Sequence, residues 1–129
     1  MDFFFFLLIT DASDACGSCC QRINVYSRNS EILNAQGKCM QEYKIESGEI
    51  NGKSYWRSID EKLIIWYDDN GYWCIGEQNT KSCSFYSTNQ AMNCPSEGSN
   101  NNWKYAKGNW MDVGNDFKVE CLQDGMYCS

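Results

Sequence analysis

The chain carries nine cysteines in 129 residues and no histidine. This combination constrains its fold and chemistry more than any other feature. The cysteines are Cys16, Cys19, Cys20, Cys39, Cys74, Cys83, Cys94, Cys121 and Cys128, about 7% of the chain, near the level of a disulfide scaffold. Without His there is no Ser-His-Asp triad, no Cys-His pair and no imidazole ligand for a metal. Cys16-Gly17-Ser18-Cys19 has C-x-x-C spacing, but a structural zinc site needs a second such pair or His partners, and the cysteines from Cys39 onward are too scattered to provide one. No βαβ pattern follows the motif, which argues against a thioredoxin-like redox site. Disulfides in an oxidising compartment remain, so the expectation is a secreted, extracellular protein that uses neither a metal nor a cofactor.

The odd count has its own consequence. Eight cysteines can pair within the chain, and the ninth is then a buried free thiol or a bridge to another chain. The cluster Cys16, Cys19 and Cys20 is the natural place for such a bridge. Within the chain, Cys20 is expected to pair with Cys121, closing the domain where its first and last strands lie.

The segment ahead of the cysteines reads as a secretory leader. Phe3 to Ile9 forms a seven-residue apolar block, and Ser13 and Ala15 sit three and one residues before a cut that would precede Cys16. The block is too short for a transmembrane helix, which needs about 20 apolar residues. Residues 1–15 are therefore expected to be a signal peptide and 16–129 one domain. Removing Asp2, Asp11 and Asp14 reduces the net negative charge from −6 to −3, eleven basic residues against fourteen acidic. Neither value suits nucleic acid, which needs a basic patch.

Beyond the leader the chain reads as short strands. Arg22–Tyr26 alternates polar and apolar residues, and Met40–Ile45, Lys53–Arg57, Leu63–Tyr67, Tyr72–Gly76 and Cys83–Ser87 follow. Ser47-Gly48 and Asn51-Gly52 are turn signals. Asp68-Asp69-Asn70-Gly71 predicts a hairpin in which Asn70 and Gly71 both take positive φ. Thr88–Asn102 reads as a polar loop pinned by Cys94, and Trp103–Tyr105, Trp110–Val113 and Phe117–Cys121 complete the set. No window holds a 3.6-residue apolar period, so little helix is expected. The fold class is all-β: a small, disulfide-stabilised antiparallel sandwich or barrel of short strands.

The order of features from Cys20 to Cys121 resembles a Cys-bounded extracellular β-rich module of about 100 residues, one that recurs in secreted multidomain proteins of marine invertebrates and some protists. The residues that carry the likeness are Cys20 with Ile23-Asn24-Val25, Asn51-Gly52-Lys53-Ser54-Tyr55, Ile64-Ile65-Trp66-Tyr67, Trp73-Cys74-Ile75-Gly76, Trp103 or Trp110, and Val119-Glu120-Cys121. Cys39, Cys74, Cys83 and Cys94 are additions to the shared pattern. The resemblance implies a module for adhesion or assembly and transfers no catalytic or binding residue.

Three sets of residues are candidates for chemistry. The oxygens of Asp68-Asp69-Asn70-Gly71 suit a hard cation, but EF-hand spacing and a downstream Glu are missing, which leaves a solvated turn. Asp60 with Glu61, or Asp112 with Asp116, could act as paired carboxylates only if they faced one another across a cleft. No catalytic residue is assigned, and the chain is expected not to be an enzyme. The third set is aromatic. Asn102, Trp103, Tyr105 and Trp110 read as a surface for a partner or for the face of a sugar ring. Strand alternation further requires that one of Tyr55 and Trp56, and one of Tyr72 and Trp73, face outward. No N-x-[ST] sequon is present. The expected role is a building block or adaptor that contacts other extracellular chains or itself, through an intermolecular disulfide in one version; lectin-like glycan or small-ligand binding is the alternative.

Overall fold

The computed structural model describes residues 19–90, 92–97 and 102–122. The leader expected over 1–15, and with it Cys16 and Cys128, lie outside the described residues. Nine strands form a single antiparallel sheet: β1 (Arg22–Ser27), β2 (Glu42–Ile45), β3 (Trp56–Ser58), β4 (Ile64–Tyr67), β5 (Trp73–Glu77), β6 (Ser82–Ser87), β7 (Trp103–Lys107), β8 (Asn109–Asp112) and β9 (Phe117–Cys121). Each overlaps a segment expected from the sequence. The sheet is an up-and-down meander from β1 to β8, after which β9 returns to pair with β1, so β8 and β9 are its two edges.

Those edges are joined by only the four residues Val113–Asp116. Laid flat, a nine-stranded sheet would hold them about 38 Å apart at the usual inter-strand spacing, well beyond the reach of about 17 Å that so short a link allows. The sheet must therefore curl. Phe85 on β6 stacks on Phe117 of β9 with ring centroids 4.7 Å apart, across the interior of the resulting half-barrel. One curled sheet, rather than two stacked sheets, encloses the core.

Alternation sorts the side chains. Ile23 and Val25, Tyr43, Trp56, Ile65, Trp73 and Ile75, Phe85, Trp103 and Tyr105, and Phe117 all point inward and are buried. The polar tips of the large rings find partners there. Trp56 Nε1 donates to the Cys20 carbonyl at 2.9 Å, Trp73 Nε1 to the Met92 carbonyl at 3.1 Å and the Tyr43 hydroxyl to the Cys39 carbonyl at 2.9 Å. Such bonds remove the penalty of leaving a buried donor unmade. As alternation requires, Trp56 and Trp73 take the core positions while Tyr55 and Tyr72 remain half-buried.

One helix interrupts the strands. α1 (Ser30–Gln36) is capped by Asn29, whose side chain accepts the Glu31 and Ile32 amides at 2.8 and 3.3 Å, and it buries Ile32. Gln36 Nε2 then reaches the Ala106 carbonyl at 2.9 Å, tying the helix to β7.

The turns depart from expectation in an informative way. Gly71 has φ +88°, but Asn70 has no positive φ. The Gly71 amide donates to the Asp68 carbonyl and the Asp68 amide to the Tyr72 carbonyl, which makes a three-residue loop closed by a glycine bulge. The Asp68 carboxylate accepts the Asn70 and Tyr72 amides at 3.0 and 2.9 Å and so stabilises this longer loop. Positive φ at both positions occurs instead at Asn51 and Gly52, between Ile50 and Lys53, which bridge one another. That tight turn takes Lys53 out of the third strand, which begins at Trp56.

Candidate interaction surface

Among the described residues three disulfides set the frame. Cys20–Cys121 joins the start of the sheet to the end of β9, the pairing expected from the sequence. Cys94 pins the loop after β6, as expected, but does so through Cys19, a pairing the sequence did not indicate, and Cys74–Cys83 crosses from β5 to β6 on the outer face. Cys19 and Cys20 are thus both engaged within the chain, each 5.5–5.9 Å, Cα to Cα, from an internal partner, which removes Cys19 from the cluster named as the place for an inter-chain bridge. Among the described residues Cys39 is the free cysteine. It is buried beneath the sheet, and burial pushes its thiol up to about 11. A thiol held protonated and out of water is a poor nucleophile and a poor metal ligand.

Of the four residues proposed as a binding surface, the structure leaves Trp110 exposed. Trp103 and Tyr105 are 2% and 3% exposed and belong to the core. The reason is period two. Lys104 lies between them on β7 and must face water, so its neighbours face inward. Asn102 is half-buried, and its backbone carbonyl accepts both the amide and the hydroxyl of Thr88.

Trp110 instead joins residues that the sequence did not single out together. It is 44% exposed on β8, and its ring meets Tyr86 edge-on at 4.8 Å; Tyr86 meets Tyr72 in the same way at 5.4 Å. Tyr72, Tyr86 and Trp110 form an aromatic strip on the outer face. In the adjoining register Lys104 pairs with Asp112, Nζ to Oδ1 at 2.6 Å, and this carboxylate holds the ammonium above its ordinary value. Met111, 39% exposed, shows on the opposite side of β8. The signal for this strip was the charge at Lys104, which orients β7 and, through cross-strand pairing, its neighbours.

No protein-family model, curated protein or solved structure matches the chain.

The remaining candidates have structural duties. Asp60 accepts from the Ser58 hydroxyl at 2.7 Å and the Lys62 amide at 3.1 Å, and these bonds hold its carboxyl below the usual range. Asp116 accepts the Arg28 amide at 3.2 Å, while Asp112 is bound to Lys104. Among the described residues no three His, Cys, Asp or Glu side chains gather as a metal site, and no helix is long and apolar enough to cross a membrane.

Proposed function

We propose that the chain is a non-enzymatic extracellular module, a building block or adaptor whose contact surface is the Tyr72–Tyr86–Trp110 strip on the outer face of β5 to β8. The observation that carries this reading is the contrast between the two sheet edges. β9 displays Lys118 and Glu120, 3.8 Å apart, a charged guard against unwanted strand pairing. All four side chains of β8 are exposed, and Trp110 and Met111 are among them. Aromatic and Met side chains left in water beside a strand edge suit protein contact. The disulfide frame and the resemblance of Cys20–Cys121 to a recurring extracellular module support secretion and an assembly role. With Cys39 enclosed in the core, Cys16 and Cys128 are the cysteines through which a covalent partner would attach. Sedimentation velocity over a concentration series tests the reading. Reversible or covalent self-assembly that Trp110→Ala weakens is the expected result; a monomer at every concentration, identical in both proteins, counts against it.

A glycan is the second reading. What favours it is the half-exposed Trp110 ring beside the Lys104–Asp112 pair, a flat apolar face with polar groups at its margin. Saturable binding on a glycan array, lost in Trp110→Ala, would put this reading first.

A further inference from the structure

A second region of the outer face is built differently from the aromatic strip. Ile64, Trp66 and Cys74 form a buried cluster on the side of the sheet away from the main core, with Ile50, Tyr55 and Cys83 packed against it. Above it lies a cavity of about 250 Å³, floored by Trp66 and the Cys74–Cys83 disulfide and walled by Ile50. Its polar rim is contributed by two turns. Asp68 and Asp69 come from the β4–β5 loop and Lys81 from the β5–β6 turn. Among the described residues, neither the Asp69 carboxylate nor the Lys81 ammonium has an ion-pair partner. Asn51 and Lys81, two of the three non-glycine residues with positive φ among the described residues, both line this cavity. The Asn51 wall is held in place by its Nδ2, which donates to the Tyr67 carbonyl at 2.8 Å.

We propose that this cavity binds a small zwitterion of amino-acid size, its ammonium toward Asp69, its carboxylate toward Lys81 and its apolar body over Trp66. The volume lies just below that of drug-sized pockets and matches a single compact ligand. Opposite charges on the two turns select for a ligand that carries both charges, and the apolar floor adds contact area between them. This site is separate from the Trp110 strip and stands or falls independently of it.

The test uses the oxidised full chain, isotope-labelled, titrated with L-phenylalanine, phenethylamine and 3-phenylpropionate and followed by amide and indole NMR shifts. Saturable shifts should centre on Trp66, Asn51 and residues 68–71 and 81. The zwitterion should bind about fivefold tighter than either single-charge analogue, the upper end for one exposed ion pair. Asp69→Asn and Lys81→Asn, both at exposed turn positions, should each cost L-phenylalanine about the same factor. Asn is chosen at 81 because it tolerates left-handed backbone. Shifts that never saturate, shifts centred elsewhere, or equal affinities for the three probes would overturn the proposal.

Discussion

Cys39 shows how one buried group couples stability to pH. Its thiol is raised to about 11, and burial pushes the neighbouring Tyr43 hydroxyl far above its ordinary value. Both are acids whose folded pKa exceeds the unfolded one. The native state therefore keeps protons that the unfolded chain releases, and stability falls as pH rises from about 9 through about 11. For Cys39 alone the loss is about 2–3 kcal/mol. Denaturant titrations at pH 7, 9 and 11 should show that fall, and Cys39→Ala should flatten part of it; a pH-independent midpoint would contradict the burial. Gly76 makes a different demand. The sheet register shifts between Ile75 and Gly76, and a Cβ at Gly76 would collide with the Ser82 carbonyl oxygen. Because that oxygen is backbone, relief requires moving a strand. Gly76→Ala should cost about 3 kcal/mol, the upper end for overpacking, as a lowered urea midpoint.

At the scale of elements, period two was readable where a strand has a wet side, whereas β4, buried on both faces, was visible as a continuous apolar run bounded by polar residues. Strand ends were less readable because turn chemistry competes with strand preference. Asn70-Gly71 has the residues of a two-residue hairpin turn, but the Asp68 carboxylate captures two amides and stabilises a longer loop. Helix α1 was invisible to periodicity because seven residues bury one apolar side chain, Ile32. Its signal was Asn29, a capping residue ahead of Ser30-Glu31. Asn29→Ala should lower stability by about 1 kcal/mol without disturbing the sheet. Circular dichroism and a denaturant midpoint would check this, and an unchanged midpoint would remove the cap from the account. The same period-two logic explains the candidate surface. Trp110 was legible as exposed, but Trp103 and Tyr105 were read as surface although the charge at Lys104 between them was the signal that turns both inward.

Across the whole molecule, disulfides take over part of the work of a modest core. Cys20–Cys121 and Cys19–Cys94 close loops of 101 and 75 residues, and Cys74–Cys83 closes one of 9. In the chain-entropy account the two long closures contribute about 4.5–5 kcal/mol each and the short one about 2.5. Paired Cys→Ala variants should lose stability in that order, measured as denaturant midpoints, and an equal loss from all three would show that loop length is not the cause. Cys20–Cys121 was legible because a sheet whose last strand returns to its first brings the chain ends together. Cys74–Cys83 was not, since it depends on which residues of β5 and β6 share the outer face. The extracellular account rests on this oxidised frame. The most direct test is peptide mapping of the natively produced protein, unreduced and with free thiols alkylated before and after denaturation. The account predicts linked peptides for Cys20–Cys121, Cys19–Cys94 and Cys74–Cys83, with Cys39 labelled only after denaturation. Native protein whose six paired cysteines are labelled as free thiols, or in which Cys39 is disulfide-bonded, would contradict it.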